Sequence, residues 1–178
     1  MAAEIVSIGG MRALLAKGLR QDEGLRALRD DFECAFAIFR HAVQKDLPSF
    51  TFSGLRLPPV FNERLPGAPV PYGDAFAFEI AIFQEHLHDR ITLLAQNRQM
   101  LREIWAFNER TRWFRQIEIK SSETAGEAVD ETARLIAALQ SGEVNQAIVA
   151  LAQCEARRID LINALTQQLT FFEHPNKS

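Results

Sequence analysis

The prolines of this chain are concentrated in one segment, residues 47–73, which contains six of the seven. A proline ring fixes φ and removes a backbone donor, so a regular helix is excluded from a segment with this density of prolines. The segment also carries more large apolar residues than a solvated linker needs, namely Phe50, Phe52, Leu55, Leu57, Val60, Phe61, Leu65 and Tyr72. We therefore predict an ordered flap that packs across the domain and serves as a lid or as a surface for a partner.

Outside this flap, apolar residues recur at intervals of three and four, the spacing that places them on one face of a helix. The clearest stripe consists of Leu25, Leu28, Phe32, Ala35, Phe36, Phe39 and Val43. The pattern predicts helices over residues 11–19, 21–45, 75–96, 100–116, 123–140 and 143–172. We expect a single all-α domain over residues 1–178, an antiparallel bundle of about six helices in which residues 1–10 form an N-terminal extension.

Several residues are typical of helix ends. Asp74 and either Ser121 or Ser122 are predicted N-caps, because a short side-chain oxygen accepts from the first free N–H groups of a helix. Asn97 is predicted to separate two helices for the same reason. Gly142 is predicted to end the helix that precedes the last one.

The composition narrows the class of protein. Residues are 47% hydrophobic and 24% charged, and the formal net charge is −3, so the chain lacks the basic surface of a nucleic-acid binder. Cys34 and Cys154 are predicted on different buried helical faces, which favours a reducing cytoplasm over a disulfide scaffold. No segment has the apolar length of a transmembrane helix, so we expect a cytoplasmic protein without a membrane partner.

The predicted helix over residues 100–116 combines basic and aromatic side chains. They are Arg102, Arg110, Arg112, Arg115, Trp105 and Trp113. Such a set would suit an acidic ligand or a nucleic-acid strand. The favoured interpretation is a solvated face whose arginines pair with Glu103 and Glu109, while the tryptophans lie in the core or in a dimer contact.

The most informative stretch lies in the predicted helix over residues 75–96. Positions four apart share a helix face, so Gln84 and His88 lie together. Leu87, Ile91 and Leu94 form the apolar stripe beside them. One face of this helix therefore packs while another presents an imidazole.

These residues begin a longer sequence pattern that extends through the rest of the chain. The text reads Gln84-x-x-Leu87-His88-x-x-Ile91, then Asn97, then Glu131-Thr132-Ala133-Arg134-Leu135-Ile136-Ala137-Ala138-Leu139-Gln140-Ser141-Gly142-Glu143, and finally Cys154. It resembles the effector-binding domain, called FCD, of GntR-type bacterial transcription regulators of the FadR class. That family carries Asp-x-x-Phe-His-x-x-Leu, an Asn nine residues after the His, Glu-His-x-x-Ile-x-x-Ala-Ile-x-x-Gly-Asp, and a His on the last helix. The resemblance covers roughly residues 10–172 and is best over residues 74–172.

In that family the Asp and the three His bind a divalent metal at the bottom of a ligand cavity. Carried over to this chain, the resemblance implies a ligand cavity lined by Gln84, His88, Thr132 and Cys154. A neutral amide and a hydroxyl are weak donors for a divalent cation, so we expect no metal cofactor. If a cation such as zinc binds, its ligands are His88 and Cys154.

Three carboxylates neighbour these positions, at Glu85, Glu131 and Glu155. Adjacent residues on a helix point about 100° apart, so we expect these side chains to point away from the site. Without charged ligands, the cavity would favour a neutral or amphipathic small molecule held by apolar walls and a few hydrogen bonds.

The resemblance implies a bacterial regulatory domain that senses a small molecule and forms a homodimer. Fewer than about twenty residues of this sequence precede the matching helices, so we expect no counterpart of the winged helix that binds DNA in the family. We therefore expect a sensor domain that works through a partner and does not itself bind nucleic acid. We expect that the protein is not an enzyme. The chain has no Gly-rich phosphate loop, and a catalytic Cys154–His88 pair would have no evident orienting group.

Two other classes of function remain open. The first is an adaptor or structural bundle whose site has decayed into core and whose flap binds a partner chain. The second is a surface-coating protein of the phasin kind, which is suggested by the long helices and by residues 121–128. That second class requires exposed apolar helix faces and the binding of hydrophobic dyes.

Overall fold

A computed structural model describes residues 21–62, 64–122 and 124–173. The α-helices are α1 Gln21–Asp46, α2 Asp74–Leu93, α3 Arg98–Lys120, α4 Ala125–Ser141 and α5 Val144–Glu173, and short 3-10 helices lie at Leu47–Ser49 and Pro59–Phe61. No β-strand occurs within the described ranges, which confirms the all-α prediction. The predicted helix over residues 11–19 and the N-terminal extension 1–10 lie outside the described residues.

Most helix ends fall within two residues of the predicted positions. Asn97 caps α3, since its side chain accepts from the backbone N–H groups of Gln99 and Met100. Gly142 ends α4 with φ at 70°, in the left-handed region that favours glycine. Two ends differ by more, since α2 ends at Leu93 instead of residue 96, and α3 continues to Lys120 instead of ending at residue 116.

Two predicted N-caps are wrong. The N-cap of α2 is Gly73, and Asp74 lies in the first turn, where its carboxylate pairs with the last residue of α3 at 2.6 Å. Helix α4 begins after Thr124 and not after Ser121 or Ser122, and the Thr124 hydroxyl donates to a carbonyl near the end of α3. Contacts with the end of α3 therefore engage the Asp74 and Thr124 side chains, and neither caps its own helix.

Helices that are consecutive in the chain pack against each other in pairs. Helices α2 and α3 pack most extensively and are joined by residues 94–97, while α4 and α5 are joined by residues 142–143. Such short connections make neighbouring helices antiparallel. Helix α1 packs chiefly along α5, so the first and last described helices close the bundle.

The core contains a cluster of phenylalanine rings from α1 and α3. The ring of Phe32 makes edge contacts with Phe107 at 5.2 Å and with Phe114 at 5.5 Å between centroids. Each such pair contributes about 0.5–1.5 kcal/mol beyond the area that it buries. Every residue of the predicted α1 stripe is buried, which confirms the orientation of this helix.

The flap, residues 47–73, contacts the bundle through its aromatic residues. Phe61 is buried, and its ring lies 5.1 Å from that of Phe83 on α2. Most of the apolar flap residues pack against the core as predicted. Leu65 and Tyr72 do not, since they are 73% and 64% exposed.

The predicted pairing of the α3 arginines with Glu103 and Glu109 is wrong. Arg112 and Arg115 both donate to Glu85 of α2 at 2.7 Å. Arg115 is also not on a solvated face, because it is 1% exposed. These arginines join α3 to α2 and do not stabilise α3 alone.

The predicted burial of Cys34 is also wrong, because this residue is exposed on α1. Trp105 is 51% exposed and lies outside the core, while Trp113 packs against the core. Over the described ranges, no helix combines the length and the apolar character needed to cross a bilayer.

Candidate functional site

The four positions that the resemblance singles out meet at one small cavity. Gln84 and His88 reach it from α2, Thr132 from α4 and Cys154 from α5, and α1 closes the remaining side. The cavity volume is about 20 Å³. That volume is enough for one water molecule and too small for a metabolite.

Gln84 presents an unsatisfied oxygen at this cavity. The Thr132 hydroxyl donates to the backbone carbonyl of Ala128 at 2.9 Å, so it accepts from Nε2 of Gln84 at 3.1 Å. Oε1 of Gln84 is therefore the free end of the amide, and no described protein group donates to it. Gln84 is only 4% exposed, and an unpaired acceptor at this depth costs about 1–3 kcal/mol.

His88 is held in one tautomer by α3. Its Nδ1 lies 2.8 Å from Oδ1 of Asn108, and the Asn108 amide is oriented because Nδ2 donates to the Asp89 carboxylate at 3.4 Å. Since an amide oxygen only accepts, Nδ1 carries the proton and Nε2 keeps its lone pair. Burial, assisted by the positive charge of Arg115, lowers the pKa of His88 to about 3, so the ring is neutral at pH 7.

Cys154 is a buried thiol that keeps its proton at neutral pH. Burial, followed by the negative charge of Glu131, raises the pKa of Cys154 well above its ordinary value. The thiolate is the form that attacks electrophiles and binds zinc. Cys154 is therefore not activated for either role.

The sequence interpretation missed two charged residues of the cavity wall, Glu131 and Arg158. The expectation that Glu131 points away is wrong, because Glu131 and Thr132 both line the cavity. Arg158 lies four residues after Cys154, on the same face of α5, and this spacing was the available signal.

Arg158 is the centre of a buried ion cluster. It donates to Glu131 at 2.5 Å and lies 3.1 Å from Glu118 of α3, while the neighbouring Arg157 binds Glu118 at 2.7 Å. Burial raises the pKa of Glu131, although the charge of Arg158 opposes that shift. The cluster links α3, α4 and α5 beside the cavity.

A second buried cluster lies between α2 and α3. Arg115 donates to Glu85 at 2.7 Å and to the backbone carbonyl of Asn108 at 3.2 Å. Burial lowers the pKa of Arg115 to about 10, so this side chain stays charged at pH 7. Because Asn108 also orients His88, the cluster helps to position the imidazole. Glu85 does not line the cavity, as predicted.

The side chains at the cavity do not fit a divalent cation. In the described part of the chain, no three His, Cys, Asp or Glu side chains are grouped so as to hold a metal ion. The Thr132 hydroxyl is engaged with Gln84 and Ala128, Glu131 neutralises Arg158, and the Cys154 thiol is protonated. The metal site of the family that the chain resembles therefore has no equivalent donor set here.

Comparison of the chain with protein-family models, with curated proteins and with solved structures found no match. The resemblance to the FCD domain therefore rests on the residues quoted from the sequence, and it stays a prediction.

Proposed function

We propose that this chain is a non-enzymatic regulatory domain that senses a neutral small molecule, similar to the effector-binding and dimerisation domain of GntR/FadR-type bacterial transcription regulators. The observation that supports this function is the meeting of Gln84, His88, Thr132 and Cys154 at one interior cavity that contains an unpaired acceptor. Ligand pockets are commonly apolar, with a few convergent polar groups of this kind.

A ligand larger than water requires the cavity to widen. Phe36 and Phe39 of α1 line it on one side, and Thr132 and Leu135 of α4 line it on another. The backbones of α1 and α4 approach each other little, whereas α1 packs extensively along α5. Because α1 and α4 contact each other little and meet mainly through α5, we propose that separation of α1 from α4 opens the cavity for the ligand.

The experiment that tests this function is native mass spectrometry of protein purified without a metal-affinity tag, followed by a thermal-shift screen of neutral metabolites. Bound ligand stabilises the fold by about 2.7 kcal/mol at one hundred times its Kd. Gln84→Met should abolish the shift, while Gln153→Met, at an exposed position of α5, should keep it. If no ligand is retained and no metabolite shifts the melting temperature, the sensor function is rejected.

We also propose that the chain forms a homodimer and does not itself bind nucleic acid or membranes. Trp105 supports the dimer, because a half-exposed tryptophan on α3 is the type of residue that anchors an interface. Sedimentation of the wild type and of Trp105→Ser tests this proposal. A monomer at micromolar concentration in the wild type would contradict it.

The second candidate is an adaptor that binds a partner chain at the flap. A groove of about 560 Å³ lies between the flap and the start of α2, and its apolar wall includes Pro58, Pro59, Val60, Leu65, Pro69 and Phe76. Arg64 holds this part of the flap in place, since it binds Asp130 of α4 at 2.8 Å and the carbonyl of Ala68 at 2.7 Å. The groove is therefore a formed surface and not a loose loop.

The adaptor function is tested at Leu65, which is exposed at this groove. Leu65→Asp should remove a partner that co-purifies in a 1:1 complex and leave the melting temperature unchanged. Val149→Asp, at an exposed position of α5, is the matched control and should keep the partner. A complex that survives Leu65→Asp would contradict binding at the flap.

A further inference from the structure

The cavity between α1, α2, α4 and α5 has a polarity that restricts what can occupy it. Gln84 contributes Oε1, which is an acceptor without a donor among the described residues. His88 contributes a second acceptor. His88 lines the cavity, and its Nδ1 is directed at Asn108 on α3, which contributes no residue to the lining, so we infer that the opposite edge of the ring, with Nε2, faces the cavity.

The other polar groups of the lining are already engaged. The Thr132 hydroxyl bonds to Gln84 and Ala128, Glu131 and Arg158 bond to each other, and the protonated Cys154 thiol is hydrogen-bonded to Glu131. The cavity thus offers two acceptors and no free donor among these described side chains. An occupant must therefore act as the hydrogen-bond donor, and a group with two donor hydrogens can satisfy both acceptors.

The charge around the cavity disfavours a cation. Arg115 and Arg158 both act on the His88 ring, and they disfavour a positive charge there. Glu131, the carboxylate in the lining, is already neutralised by Arg158. Ammonium or a metal ion would therefore enter a region whose nearest free groups are neutral, at a large desolvation cost.

We propose that this cavity is a binding site for one neutral group with two donor hydrogens, which bridges Oε1 of Gln84 and Nε2 of His88. A volume of about 20 Å³ selects a single water molecule in the closed protein. In the open protein the same positions accept the primary amide group of a ligand, which has the same two donors. This specificity rests on the proposed sensor function, whereas the water site does not.

The first test uses the wild-type protein and measures the tautomer of His88 by long-range ¹H–¹⁵N correlation. The expected result is a protonated Nδ1 and an unprotonated Nε2 from pH 8 to pH 5. A protonated Nε2 would overturn the proposal, because the second acceptor would be lost.

The second test counts long-lived internal waters by ¹⁷O magnetic relaxation dispersion. Gln84→Met should lose one such water relative to the wild type, while Gln153→Met on the surface should lose none. Gln84→Glu keeps an acceptor oxygen at the same place and should keep the water, so it serves if the Met variant does not fold. An unchanged count in Gln84→Met, or a count that falls equally in the surface variant, would refute the site.

A third test distinguishes the occupants. Melting temperatures are compared in ammonium chloride and sodium chloride at equal ionic strength, and then with added acetamide or acetic acid. Ammonium should give no saturable shift beyond that of sodium, and a saturable one would overturn the neutral site. Acetamide should stabilise the wild type more than acetic acid does, and equal effects would overturn the amide specificity. An internal water without any response to metabolites would leave the water site standing and reject only the sensor function.

Discussion

Removal of Arg158 should destabilise this protein far more than removal of an exposed arginine. The Arg158 side chain is 6% exposed and lies between Glu131, at 2.5 Å, and Glu118, at 3.1 Å. In Arg158→Met, Glu118 keeps Arg157 at 2.7 Å, but Glu131 keeps only a contact of 3.8 Å with that residue. A buried carboxylate without a close partner costs about 3–5 kcal/mol.

The assay is urea unfolding at pH 8. The slope of the unfolding free energy against urea concentration must be the same in the variant and in the wild type for the two free energies to be compared. A loss of about 3–5 kcal/mol corresponds to a melting temperature lowered by roughly 6–20 °C for a chain of this size. The matched control is Arg110→Met, which breaks the more exposed pair with Asp31 and should cost less than about 1 kcal/mol.

The destabilisation caused by Arg158→Met should depend on pH, because Glu131 can take up a proton. Burial already raises the pKa of Glu131 in the wild type, and loss of Arg158 should raise it further. A carboxyl whose folded pKa lies above its unfolded value binds a proton more readily in the folded state, so the variant should regain stability as pH falls. The difference in unfolding free energy between wild type and Arg158→Met should therefore be smaller at pH 5 than at pH 8.

A double variant separates the ion pair from simple packing. Arg158→Met combined with Glu131→Gln should recover at least about 1 kcal/mol, because no uncompensated charge then remains at residue 131. A cost of Arg158→Met no greater than that of Arg110→Met, or one that is the same at pH 5 and pH 8, would refute the role of Arg158 in neutralising Glu131.

Three further predictions concern single groups. Asn97→Ala should lower the unfolding free energy by about 0.5–2 kcal/mol, because two N–H groups of α3 lose their acceptor; Asn145→Ala, at an exposed position of α5, is the control, and equal losses in urea unfolding would contradict the cap. Since the folded pKa of His88 is about 3 and its ordinary value is 6.5, the unfolded chain takes up a proton first, and stability should fall as pH drops from about 6.5 toward 3. His88→Phe should flatten this part of the stability curve, and an unaltered curve would show that the imidazole titrates normally. Cys34 should react with a thiol reagent in the native protein while Cys154 stays protected, as read by mass spectrometry of peptides, and equal labelling of both would contradict the burial of Cys154.

The helices were predictable because their causes are local. Apolar spacing over a few turns determines which face of a helix packs, so the α1 stripe is buried as expected. The proline-rich flap, the cap at Asn97 and the stop at Gly142 follow from the backbone chemistry of single residues. Four of the positions that line the cavity, Gln84, His88, Thr132 and Cys154, were also named in advance, through a resemblance in spacing and not through the chemistry of the side chains.

Polar side chains were assigned less well, because their partners are distant in sequence. Arg115 was expected on a solvated face, and it is buried because Glu85 of α2 neutralises it. Asp74 and Thr124 have the chemistry of caps but contact the end of α3 instead. The exposure of Cys34 likewise depends on which helix lies next to its face of α1.

By itself the sequence determined where this chain is helical and where it is not, since backbone preferences and apolar periodicity act within a few residues of one another. Only the tertiary structure decided the character of the cavity. The orientation of the Gln84 amide follows from Thr132 on α4, and the tautomer of His88 follows from Asn108 on α3. A hydrogen bond or an ion pair forms only where folding places both groups, so these features belong to the packed bundle and not to any one helix.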